Sequence, residues 1–164
     1  MTFPGALKVV LALAFVAELV GMVGFTTASA VPIQAGERCY RCQRVINDRL
    51  VAAEAIGTRG LVAYKFRTVA CMVKYLNEAN HSFDQILVTD YSSGTLVPVS
   101  EAIFVRTAID WRTGERHYGI GELDYVAFRY RHAAERFAAG RGATPMDWET
   151  VRAVQASEQV SLAE

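Results

Sequence analysis

The 164-residue chain has no surplus of charge of either sign: 17 lysines and arginines balance 17 aspartates and glutamates. Nucleic-acid binding normally leaves a basic stripe, so this balance argues against a nucleic-acid partner. Proline is scarce, at four residues, and no low-complexity tract interrupts the chain, which excludes an extended disordered architecture before the C-terminal tail. There is no phosphate-binding glycine motif. Ser92-Ser93-Gly94 lacks the flanking glycines of a nucleophile elbow. Asp84, Asp90 and Asp110 show no paired-carboxylate spacing. No catalytic set emerges, and the expectation is a protein that is not an enzyme. Cysteine is also scarce, and its count of three is odd. Three thiols cannot all pair within a monomer, which excludes a closed disulfide framework.

What is present begins with an apolar N-terminus. Lys8 and the amino group give a weakly positive start, and Val9 to Phe25 is apolar except for Glu18. Thr26-Thr27 then leads to Ala28-Ser29-Ala30, the small-residue pattern read by signal peptidase. The apolar run lies at the lower limit of a membrane span. An acidic residue near the bilayer centre costs roughly 2–3 kcal/mol. Residues 1–30 are therefore read as a signal peptide cleaved after Ala30, with an uncleaved membrane anchor as the alternative. A lipoprotein is disfavoured, because Gly36-Glu37-Arg38 precedes Cys39 where small or apolar residues are needed. An extracytoplasmic location follows, periplasmic or on the outer face of a membrane. Residues 31–38 read as a linker, 39–157 as the folded domain and 158–164 as a tail. About 134 residues remain after cleavage, enough for one domain with its own core.

The domain reads as short strands alternating with helices. Two apolar pieces, Val45-Ile46 and Leu50-Val51, flank the turn signal Asn47-Asp48, and Leu61 to Phe66 is a strand. Thr68 to Glu78 is a helix, with Val69, Met72, Val73 and Leu76 on one face. Gln85–Thr89 and Thr95–Val99 form a hairpin about Tyr91–Gly94. Ala102–Arg106 is a further strand, followed by a polar loop from Asp110 to Gly121. The pattern then repeats: Phe66-Arg67 precedes a helix carrying Lys74-Tyr75, and Phe128-Arg129 precedes a helix carrying Arg136-Phe137 at the same offset. A strand follows each helix, Gln85–Thr89 and Pro145–Trp148, and Glu149–Ser157 is a terminal helix. The expected fold class is α+β, built from two related β/α units with mixed or antiparallel strands and preceded by one N-terminal hydrophobic helix.

The cysteines carry the chemistry. Cys39-Tyr40-Arg41-Cys42 is a C-x-x-C pair, a spacing that chelates a soft or borderline metal or forms a disulfide. Gln43 stands where haem attachment needs histidine. With Thr68 as N-cap, Cys71 is the third helical residue, where free amide N–H groups and the positive helix end favour thiolate. Met72 offers a thioether suited to Cu(I), although it shares the apolar helix face; His117, before Tyr118-Gly119, is a further candidate ligand. His81 and His132 read as surface residues.

The order of these motifs resembles the NosL family, exported copper-binding proteins that assist nitrous oxide reductase. It runs from the C-x-x-C through Cys71-Met72-Val73-Lys74-Tyr75-Leu76, Val88-Thr89-Asp90-Tyr91 and Ala102-Ile103-Phe104-Val105 to Tyr118-Gly119, Val126-Ala127-Phe128 and Ala133-Ala134-Glu135-Arg136-Phe137. The resemblance spans about Cys39 to Val151 and implies two related β/α units with a Cu(I) site of cysteine and methionine. Cys42 matches the family cysteine usually followed by Gly-Met; Gln43-Arg44 stands here instead, and His117-Tyr118-Gly119 stands where Met-Gly-x-Gly is frequent. Cys39, Cys42 and Cys71, with Met72 or His117, then form a rearranged soft-metal set. The expected function is an extracytoplasmic Cu(I)-binding metallochaperone or assembly factor, with Zn(II) as the alternative metal. Its expected partner is a copper-dependent enzyme or a membrane protein complex. Two rival readings stay open. One is a membrane-tethered accessory subunit whose cysteines form a structural disulfide and which associates with the membrane through residues 1–30; the other is a thiol–disulfide enzyme.

Overall fold

The computed structural model describes residues 30–34, 36–58, 62–79, 82–110, 117–118 and 122–161. The expected N-terminal helix and His81 lie outside these residues. Among the described residues, no helix is long and apolar enough to cross a membrane.

The first sheet forms around a strand of small residues. β1 (Ala53–Gly57) is buried along its whole length. It pairs antiparallel with β2 (Ala63–Phe66) on one side and β3 (Phe83–Thr89) on the other. β4 (Leu96–Pro98) extends the sheet beyond β3, giving the order β2-β1-β3-β4. Between β2 and β3 runs α1 (Val69–Glu78), which buries Val69, Ala70, Met72 and Val73. Thr68 starts this helix, its Oγ1 accepting the Cys71 N–H at 3.2 Å. Such a cap satisfies one of the amide donors that a helix start leaves free.

The second unit repeats this plan. β5 (Ile103–Asp110) pairs antiparallel with β6 (His117–Tyr118), β7 (Glu122–Phe128) and β8 (Pro145–Met146). α2 (Arg131–Ala139) lies between β7 and β8, and α3 (Trp148–Ser161) closes the chain. In each unit an antiparallel strand pair precedes a helix, and the return strand pairs with the unit's first strand on the side away from its partner in that pair, β2-β1-β3 and β7-β5-β8. Phe66 pairs with Ala53 and Phe128 with Ile103, in both cases the first residue of the leading strand. The Phe-Arg repeat in the sequence thus marks equivalent strand ends.

Every ladder within the two sheets is antiparallel, and the parallel component among the described residues is the isolated bridge between Asp90 and Ala127. The expected strand pieces near residue 45 differ in detail. Val45 forms only an isolated bridge with Arg38. Arg49–Val51 is a 3-10 turn, because Asp48 Oδ1 accepts the Leu50 N–H at 3.0 Å and closes the chain locally. The terminal helix is longer than expected, and the polar loop after Asp110 carries β6.

One core joins the units. Cys39, Phe66, Met72, Val73, Phe104, Tyr125, Trp148 and Val151 share a buried cluster next to α1. Each large apolar side chain so buried contributes about 1.5–3 kcal/mol. Buried carboxylates cross the junction: Asp124 of β7 accepts the Ala70 N–H at 3.1 Å, and Asp90 accepts the Arg129 N–H at 3.0 Å. The start of α1 is therefore set by both units.

Candidate metal centre

The C-x-x-C segment is a closed knuckle. Arg38 and Val45 bridge across its base. Within it the Cys39 N–H donates to Arg44 O at 2.8 Å and the Gln43 N–H to Cys39 O at 2.9 Å. This closure puts Gln43 at φ +60°, the left-handed region in which a side chain is strained. Gln43 Nε2 donates to Tyr40 O at 2.7 Å and Arg38 Nη1 to Gln43 O at 2.9 Å, holding the turn.

Two further contacts aim the knuckle at α1. The Tyr40 N–H donates to Lys65 O at 2.7 Å, fixing the turn to β2. Arg41 grips Glu78 with two hydrogen bonds, at 3.1 and 2.7 Å, so the residue between the two cysteines is tied to the last turn of the helix that carries Cys71. The Tyr40 ring packs edge-on against Tyr64 of β2 and Tyr75 of α1, a further contact of the knuckle with both elements.

The result is that the sulfurs of Cys39, Cys42 and Cys71 all lie within 4.8 Å of one another. A trigonal metal about 2.3 Å from each sulfur needs sulfurs about 4 Å apart. The upper limit of 4.8 Å on the sulfur separations is compatible with that requirement. All three are free thiols; Cys39 is buried, and Cys42 and Cys71 are half-buried.

The cluster is electrically asymmetric. A hydrogen bond from Cys71 is the main influence on Cys39; burial opposes it, while the N–H groups of Cys42 and Arg67 and the Cys42 thiol reinforce it, and the Cys39 thiol is lowered to about 4. The same bond, then burial, then the charges of Cys39 and Cys42 push the Cys71 thiol up. The two thiols are therefore pushed in opposite directions, Cys39 down and Cys71 up. Arg41 feels the charge of Cys71 and Cys42, although Glu78 is the larger influence on it.

Met72 is fully buried and shares the core cluster with Phe66 and Val73. His117 stands on β6, its backbone opposite Asp110 of β5; its side chain lies outside the described part. His132 is exposed and stacks on Tyr130. Sequence reasoning did not single out the Arg41–Glu78 clamp or the left-handed Gln43. A signal for the second existed: Gln43 occupies the place where the resembling family carries glycine.

Comparison with known proteins agrees with this architecture. The NosL family profile matches residues 30–155. No curated protein sequence matches. Among solved structures, the chain is similar to the copper chaperone NosL from Shewanella denitrificans, with a TM-score of 0.59 and 17% identity over 75% of this chain and 95% of that one. At that identity the likeness shows a shared fold. Together, the profile match over most of the chain and the two-unit topology show that this protein belongs to the NosL family.

Proposed function

We propose that the chain is an extracytoplasmic Cu(I)-binding protein, a metallochaperone or assembly factor that passes copper to a copper-dependent protein. The observation that carries this reading is the convergence of three cysteine sulfurs within 4.8 Å. The fold-level likeness to a protein described as a copper chaperone supports it.

Donor softness favours Cu(I) over Zn(II). Structural zinc sites almost always hold four ligands, whereas thiolates are soft donors suited to Cu(I). Among the described residues, no fourth histidine, cysteine, aspartate or glutamate joins the group. Cys39 is the buried anchor, and the half-buried Cys42 and Cys71 face the route by which a partner's ligands reach the ion. Met72 acts in packing, and His117 remains a secondary ligand candidate. The protein performs no catalysis in this reading; transfer proceeds by exchange of sulfur ligands.

Anaerobic titration of the reduced protein with Cu(I), against a competing chelator of known affinity, tests the proposal. One equivalent withheld from the chelator by the native protein, and lost in Cys42→Ser, is the expected result. Failure of the native protein to compete overturns it.

A further inference from the structure

Glu54, on β1, is a carboxylate with no exposed surface. Its Oε1 accepts the backbone N–H of Val31 at 3.0 Å. Its Oε2 is buried and has no hydrogen-bond partner. A carboxylate in such a place carries a heavy cost unless a cation and further donors meet it. Lys65 is the cross-strand neighbour of Glu54, but its Nζ is spent on Glu37, at 2.8 and 3.0 Å, and on Pro32 O at 3.1 Å. The local set therefore holds two carboxylates, Glu37 and Glu54, against one ammonium.

The atom that touches Glu54 is the backbone nitrogen next to Ala30, the residue that ends the Ala28-Ser29-Ala30 pattern. Ala30 and Val31 are both exposed, as a cleavable bond requires. We propose that the Val31 α-ammonium, created by cleavage after Ala30, is the partner for which Glu54 is built. A signal peptidase hydrolyses the Ala30–Val31 amide with one water. This leaves a carboxylate on Ala30 and an amine on Val31, which takes a proton at neutral pH. The new ammonium has three N–H donors where the amide had one. It can satisfy Oε2 as well as Oε1, and it brings the cluster to two cations and two anions.

Further contacts hold the segment that the ammonium anchors. Ile33 is buried with Ile46 and Ala52, the Gln34 N–H donates to Glu37 Oε2 at 2.6 Å, and Lys65 grips Pro32. The segment 31–38, read from sequence as a linker, is thereby a strap that delivers the chain to Cys39. Processing and docking of the new terminus complete the approach to the knuckle. This inference stands independently of the metal reading, since neither Val31 nor Glu54 is a proposed ligand.

The test uses the full chain, expressed with its N-terminus intact in a host that exports it. Intact mass should show a mature species beginning at Val31; a species beginning elsewhere, or one retaining residues 1–30, overturns the proposal. Selective Nα-acetylation of the mature protein should then lower its Tm by about 5 °C or more, with little further loss in Glu54→Gln. Equal losses in both backgrounds contradict the pairing. NMR titration of the α-amine decides the matter where the variant does not fold. In the native protein it should titrate above the ordinary value of about 8; a value at or below that overturns the ion pair.

Discussion

The Cys71 sulfur lies within 4.8 Å of the Cys39 sulfur, although the two residues are thirty-two positions apart and belong to different elements, a closed knuckle and the first turn of α1. Once one of these neighbouring thiols is ionised, its charge and the burial of the cluster oppose ionisation of the other. A bound cation removes that penalty.

Metal binding should therefore release a proton. The Cys71 thiol is pushed up by its bond to Cys39 and by burial, so it is protonated in the metal-free protein at neutral pH. A metal on its sulfur displaces that proton, and affinity rises with pH, about tenfold per unit for each proton displaced. Titration with Cu(I) in weak buffer near neutral pH should liberate about one proton or more per ion. Binding with no proton release would exclude Cys71 as a ligand.

The N-cap of α1 should matter for both stability and binding. Thr68 Oγ1 accepts the Cys71 N–H, and burial pushes the Asp124 carboxyl up, a rise that the Thr68 hydroxyl opposes. Replacing Thr68 by alanine should cost about 1–2 kcal/mol in urea unfolding and weaken copper affinity, while serine should restore most of both. An alanine variant with unchanged stability would show that the cap does not hold the helix start.

The knuckle should prefer glycine at position 43. Gln43 has φ +60°, and alanine in the left-handed region costs about 1–2 kcal/mol relative to glycine. Gln43→Gly should thus be more stable than Gln43→Ala by about 1 kcal/mol, with copper stoichiometry unchanged in both. Equal stability of the two variants would contradict the backbone conformation assigned to the turn.

Acid should weaken the junction at Asp90. Burial alone would raise its pKa, but hydrogen bonds from the Ser93 hydroxyl and from the amides of Arg129, Ser92 and Ser93 outweigh burial and hold it below the usual carboxylate range. Because the folded-state pKa is lowered, the contribution is full above the unfolded value of about 3.9 and is lost as pH falls through the folded one. Asp90→Asn should cost about 1–3 kcal/mol at neutral pH, and the gap from the native protein should shrink as pH drops below about 4. A gap independent of pH would show that the charge of Asp90 contributes nothing.

The parts of the fold that sequence revealed are those where local chemistry and tertiary packing agree. Thr68, with the apolar spacing of Val69, Met72 and Val73, marks α1 and places Cys71 in its first turn, as found. The Phe-Arg repeat marks equivalent positions because Phe66 and Phe128 close equivalent ladders. β1 was hidden for the opposite reason. Its sequence Ala-Glu-Ala-Ile-Gly is poor in strand formers and holds a charge, and it is a strand because β2 and β3 flank it. Leu50 and Val51 have strand composition, yet the Asp48 side chain turns that backbone into a 3-10 segment. At the site, the thiols were identifiable by type, but their convergence depends on long-range contacts such as Arg41 with Glu78 and Ala70 with Asp124. No local pattern records these.

X-ray absorption at the copper edge tests the central claim most directly. The account predicts three sulfur neighbours at about 2.3 Å in the Cu(I)-loaded native protein, one of which disappears in Cys71→Ser. A first shell dominated by nitrogen or oxygen, or a sulfur shell unchanged by that substitution, would contradict the three-cysteine site.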